Sequence, residues 1–110
     1  MSEVLLVVTT LPDRATAERI AEALVTARVA ACVNVLAECT SVYRWQGKVE
    51  RAGEVPLLIK TTREAYARLE ATLRTMHPYD VPEIVALPVT AGLPAYLDWV
   101  TQETKDNGSL

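Results

Sequence analysis

From Cys32 to Trp45 the chain alternates for 14 residues. Val33, Val35, Ala37, Cys39, Tyr43 and Trp45 share one parity, while Asn34, Glu38, Thr40 and Arg44 share the other with Leu36 and Val42. Successive side chains on a strand point to opposite faces, so this pattern predicts one long strand with an apolar face. Gln46-Gly47 marks the turn, and a return strand runs from about Lys48 to Thr61, with Val49, Val55, Leu57 and Ile59 in one parity. Keeping both apolar sets on one face requires odd positions to pair with odd ones. A plain two-residue loop would pair Trp45 with Lys48 and break that match. The pattern therefore predicts a three-residue loop or a bulge at Ala52-Gly53. Pro56 cannot donate to a ladder, so its N–H side is expected to face away from a partner strand.

The rest of the chain fits around this hairpin. Val4 to Thr10 reads as a buried strand. Asp13 is a good N-cap for a helix from about Arg14 to Arg28, with Ile20, Ala23, Leu24 and Ala27 on one face. Thr61-Thr62-Arg63-Glu64 reads as a capping box, with Thr61 at N-cap and Glu64 at N3. The helix it opens carries Tyr66, Leu69, Leu73 and Met76, and ends at His77 because Pro78 disfavours helical geometry before it. Glu83 to Pro88 is a further strand, Pro94 opens a last helix, and Asn107-Gly108-Ser109-Leu110 is expected to fray. The order β-α-β-β-α-β plus a helix predicts an α+β, ferredoxin-like antiparallel sheet in a single domain, 1–110.

Length adds a constraint. Fully extended, Cys32 to Trp45 spans roughly 46 Å, whereas a ~100-residue domain has a radius of gyration of about 13 Å. The hairpin must curl or overhang its own core. Because an isolated hairpin is marginal in water, a tip bearing Tyr43 and Trp45 is expected to pack on, or strand-pair with, another subunit.

The formal net charge of -3 argues against a nucleic-acid backbone binder. No stretch approaches the ~20 apolar residues of a membrane span. The first residues lack the basic and small-residue features of a secretory signal, so a cytoplasmic location is expected. Cys32 and Cys39, seven positions apart on one strand, are roughly 23 Å apart. They are not expected to bridge within a subunit, and their parity points them to opposite faces.

The segment His77-Pro78-Tyr79-Asp80-Val81-Pro82-Glu83 holds the only histidine. Its two prolines stiffen a connector that presents an imidazole, a phenol and two carboxylates. Imidazole suits Cu(II) and zinc, and thiolate suits Cu(I) and zinc. One chain offers too few ligands, at unsuitable spacing, for a closed zinc site. A metal site would therefore be shared between subunits and centred on His77; otherwise His77 is a structural joint at the helix end. There is no Gly-rich phosphate cradle and no hydrolase signature. Neither catalysis nor a required cofactor is expected.

Ala31-Cys32-Val33-Asn34, Ser41-Val42-Tyr43-Arg44-Trp45-Gln46-Gly47, Leu58-Ile59-Lys60-Thr61, His77-Pro78-Tyr79 with Pro82-Glu83-Ile84, and Tyr96-Leu97-Asp98-Trp99 occur in this order. Together they resemble the CutA family of divalent-cation tolerance proteins. The resemblance implies a fold close to that of PII-like signalling proteins and a homotrimer built by strand pairing. It also implies a cytoplasmic protein associated with tolerance of copper and other divalent metals. The candidate metal ligands are His77, Cys32 and Glu83, for weak Cu(II) binding. In an alternative reading, an inter-subunit cleft lined by Asn34, Tyr43, Lys60, Tyr79, Tyr96 and Trp99 takes a small molecule.

Overall fold

The computed structural model describes residues 3–106. The tail expected to fray, Asn107 to Leu110, lies outside them. In chain order the elements are β1 (Val4–Leu11), α1 (Arg14–Thr26), β2 (Cys32–Val35), β3 (Cys39–Trp45), β4 (Lys48–Thr62), α2 (Arg63–Met76), β5 (Val85–Pro88) and α3 (Pro94–Glu103). The sheet runs β2-β4-β1-β5, with β3 also on β4, and every pair is antiparallel. This is the expected ferredoxin-like α+β layout, with its second strand in two pieces.

That division answers the register problem. The hairpin loop has two residues after all: Trp45 pairs with Lys48, and no bulge interrupts β3 against β4. Gln46 and Gly47 both take positive φ, at 51° and 81°, as a tight primed turn requires. The compensating residue lies on the other strand, at Leu36–Glu38. Between Val35↔Leu57 and Cys39↔Glu54, β2–β3 advances four positions while β4 advances three. Odd positions therefore pair with odd ones along β2, and odd with even along β3. Pro56 sits opposite the break. Its carbonyl accepts from the Leu36 N–H at 3.0 Å, so its missing donor falls where the ladder is already interrupted.

The break moves side chains between faces. Val33 and Val35 pack against the helix-side core. Cys39, Tyr43 and Trp45, expected on that face, lie opposite even positions of β4 instead and so share the other. Cys32 and Cys39 pair with Lys60 and Glu54, which puts both thiols on one face rather than two. Gly47→Ala is expected to destabilise the hairpin by about 1 kcal/mol, because a Cβ at this left-handed φ is strained although the space around it is open. Urea unfolding of the two proteins measures it.

α1 and α2 cover one face of the sheet. Val7, Leu11, Val55, Leu57 and Ile59 meet Ala17, Ile20, Leu24, Leu69 and Leu73 there. Asp13 caps α1 as expected, accepting from the Thr16 N–H at 2.8 Å. The cap of α2 is one residue later than expected. Thr62 accepts from the Ala65 N–H, and Glu64 occupies the second helical position, so there is no capping box. Thr61 is still in the ladder with Leu5, and its hydroxyl donates to the Val29 carbonyl at 2.7 Å. α2 ends before His77, whose ψ of 130° is extended, as Pro78 dictates.

The opposite face is covered only at one end, where Val100 of α3 packs with Val4 and Ala31. Along the rest of it Leu6, Val8 and Leu58 are half-buried, while Val85 and Leu87 of β5 are 46% and 49% exposed. β3 is almost wholly exposed, and among the described residues only β4 pairs with it.

Candidate functional site

Two constellations form on the face without helices. At the α3 end, register places Cys32 beside Lys60. The Lys60 ammonium donates to the Asn34 side-chain oxygen and lies 4.0 Å from the Cys32 sulfur. From α3, Tyr96 reaches the Cys32 thiol. Burial raises its phenol above the ordinary value, and the charge of Cys32 and their hydrogen bond add to the rise. Trp99 stacks obliquely on Tyr96, with ring centroids 5.6 Å apart. A cation, an amide, a thiol and a phenol beside an indole suit a polar or anionic group.

Six residues along β4 from Lys60, roughly 20 Å away, Glu54 anchors the second constellation. The Tyr79 hydroxyl donates to its carboxylate at 2.8 Å. His77 is 8% exposed and uses both ring nitrogens within the chain. Nε2–H donates to the Thr10 carbonyl at 2.9 Å, and Nδ1 accepts from the Tyr79 N–H at 3.3 Å. This pairing fixes the neutral tautomer. Burial lowers the His77 pKa, against smaller raising effects from Thr10 and the charge of Glu54. Burial likewise raises that of Tyr79, helped by Glu54, Tyr43 and Asp13. Between the β3–β4 hairpin and the Pro78–Glu83 connector lies an open cleft of about 970 Å³, with Tyr43, Trp45, Glu54, Tyr79, Asp80 and Glu83 among its walls.

The profile of the CutA1 divalent ion tolerance protein family matches residues 5–103. The chain belongs to this family. It is 49% identical over 104 residues to the divalent-cation tolerance protein CutA of Thermus thermophilus, covering 94% of this chain and 99% of that one. A solved structure of the divalent cation tolerance protein CutA1 from Thermus thermophilus superposes with a TM-score of 0.91 at 47% identity, covering 93% of this chain and 99% of that chain. Protein CutA of Mus musculus is 46% identical over 96 residues, 87% of this chain but 54% of the mouse protein.

In this CutA1-family chain the residues expected to bind ligand separate into two groups. Asn34, Lys60, Tyr96 and Trp99 gather around Cys32, whereas Tyr43 and Tyr79 line the cleft. The expected metal set does not converge within one chain. Cys32 is on the Lys60 end of the sheet, Glu83 is on the cleft rim, and His77 spends both nitrogens on backbone groups. No group of three His, Cys, Asp or Glu side chains suited to a metal exists among the described residues. Lys60 and Glu83 belong to different constellations. Glu54 has no signal in the sequence. It is 8% exposed and accepts a hydrogen bond from the Tyr79 hydroxyl, which reaches it from the connector.

Proposed function

We propose that this protein acts in divalent-cation tolerance as a cytoplasmic homotrimer assembled by strand pairing, with copper the ion it meets. One observation carries the assembly: the hairpin projects beyond the helix-covered core with Tyr43 and Trp45 each 44% exposed, above a sheet face that α3 covers only at one end. A lone hairpin in this state is marginal, and unpaired edges seek partners. Copper binding in this reading is weak and shared between subunits, with Cys32 and Glu83 contributed by several copies. His77 joins them only by giving up a backbone hydrogen bond.

Light scattering at micromolar concentration tests the assembly, and a stable monomer there would remove it. Calorimetric titration with Cu(II) and Zn(II), beside Cys32→Ser and His77→Ala, tests the metal reading. Saturable Cu(II) binding lost in Cys32→Ser supports it. Absence of saturation rejects it.

A second reading is favoured by the gathering of Cys32, Asn34, Lys60, Tyr96 and Trp99 at the edge of the open face. There a PII-like regulator would take an anionic small molecule between subunits. Lys60→Ala would abolish that binding and leave assembly intact.

A further inference from the structure

We propose that α3 is a lid over the Cys32–Asn34–Lys60 group, and that Arg28 is the latch that holds it shut. This deepens the second reading above, on which it rests for what the lid encloses. Arg28 directly follows Ala27, the residue that closes α1, and takes a left-handed φ of 61°. The turn there is a Schellman motif. The Arg28 N–H donates to the Val25 carbonyl at 3.0 Å, and the Val29 N–H donates to the Leu24 carbonyl at 3.2 Å. Glycine is the residue suited to that position, because a Cβ is strained at this φ. The arginine therefore works against its own backbone, and its side chain shows to what end. Nη2 donates to the Gln102 carbonyl at 2.8 Å, Nε donates to the Lys105 carbonyl at 3.2 Å, and Nη1 lies 3.8 Å from the Glu103 carboxylate. All three acceptors belong to the last turn of α3 or to the residues just after it.

Otherwise α3 is lightly seated. Of its described residues Val100 is the only one buried, and its first turn has no side-chain cap. Its last turn has no basic residue of its own to meet the free carbonyls. Arg68 of α2 adds a tie just beyond the helix, donating to the Thr104 carbonyl at 2.9 Å. An element with so little buried contact opens at far lower free energy than the sheet beneath it. What moves with α3 is what closes the site: Tyr96, which reaches the Cys32 thiol, and Trp99, stacked on Tyr96. Cys32, Asn34 and Lys60 stay behind on β2 and β4. Opening bares the Lys60 ammonium to an entering anion, and closing lays a phenol and an indole over it.

The test uses the full chain with Cys39→Ser in every protein, at one protein concentration, so that Cys32 is the sole thiol. Iodoacetamide is uncharged, and its rate of alkylation at Cys32 follows the open fraction when α3 closes faster than the reagent reacts. Arg28→Gly and Arg28→Ala both remove the guanidinium, and only the glycine also relieves the backbone. Both are expected to raise the alkylation rate alike, by roughly threefold to tenfold, the effect of charge-assisted hydrogen bonds at a half-exposed side chain. Arg28→Gly is nevertheless expected to unfold at higher urea than Arg28→Ala. Two results overturn the proposal. Either both variants react at the parent's rate, or the rate follows the urea midpoint, with Arg28→Ala faster than Arg28→Gly. No anion takes part in this experiment, so failure of the lid and failure of anion binding at Lys60 are separate results.

Discussion

Ile59→Ala is expected to cost the folded protein about 2–5 kcal/mol, while Leu58→Ala reports on the assembly. Ile59 is fully buried. It pairs with Val7 on one side and Val33 on the other, under the helices. Truncation there leaves a cavity that a sheet held by ladders on both sides cannot collapse into. Leu58 is its neighbour in sequence and points to the other face, where it is half-buried between Val8 and Asn34. In a lone chain Leu58→Ala removes only part of a buried side chain and costs about 1–2 kcal/mol. If copies cover that face, its cost approaches that of Ile59→Ala and the variant also dissociates on dilution. Urea unfolding at two protein concentrations separates the cases. Concentration-independent midpoints for both proteins, with Leu58→Ala less stable by only about 1–2 kcal/mol, would count against assembly through this face.

The second large effect is expected at His77. His77→Ala strands the Thr10 carbonyl and the Tyr79 N–H at a buried joint, a loss of about 1–3 kcal/mol. The same burial makes the parent acid-sensitive. Neutral imidazole is held in the fold and its pKa is lowered, so between that value and the unfolded value of ~6.5 the unfolded chain binds more protons. Stability therefore falls as pH drops below about 6.5 and levels once the folded imidazole is also charged. Protonation at Nδ1 sets two N–H groups against each other at Tyr79, so this hydrogen bond is lost in the charged form. The expected observation is a pH-dependent unfolding midpoint from neutral to mildly acidic pH, with this component missing in His77→Ala. An unchanged pH slope in the variant would show that the joint does not carry the proton linkage.

Much of the fold was legible in the chain because its signals are local. Asp13 at a helix start, Pro78 at a helix end and Gln46-Gly47 at a turn each act through their own backbone geometry. The alternation of Val33, Val35, Leu57 and Ile59 likewise reports one sheet face. The first strand of the hairpin was harder to read. Its alternation runs unbroken through Leu36–Glu38, so parity alone put Val35 and Tyr43 on one side. The need for one extra residue was readable from parity. Its position was not, because it depends on where Pro56 interrupts the opposing ladder. The capping residue of α2 slipped for a similar reason. Thr61 and Thr62 are equivalent in sequence, and pairing with β1 holds Thr61 in the sheet.

The site divides along the same line. The sequence by itself determined which chemical groups the chain owns: one imidazole, two thiols, and a connector stiffened by Pro78 and Pro82. Its motifs also determined the family. Only the tertiary structure decided how those groups are used. It turned His77 inward onto Thr10 and Tyr79, so that a prospective ligand became a joint. It drew Cys32, Asn34, Lys60, Tyr96 and Trp99 together from three separate elements, and it buried Glu54 beneath a tyrosine 25 residues away in sequence. The physical reason is range. Caps, turns and alternation are set by neighbours a few residues apart, whereas a site is set by contacts between distant segments, whose geometry depends on strand register. Here a single inserted residue at Leu36–Glu38 sets that register.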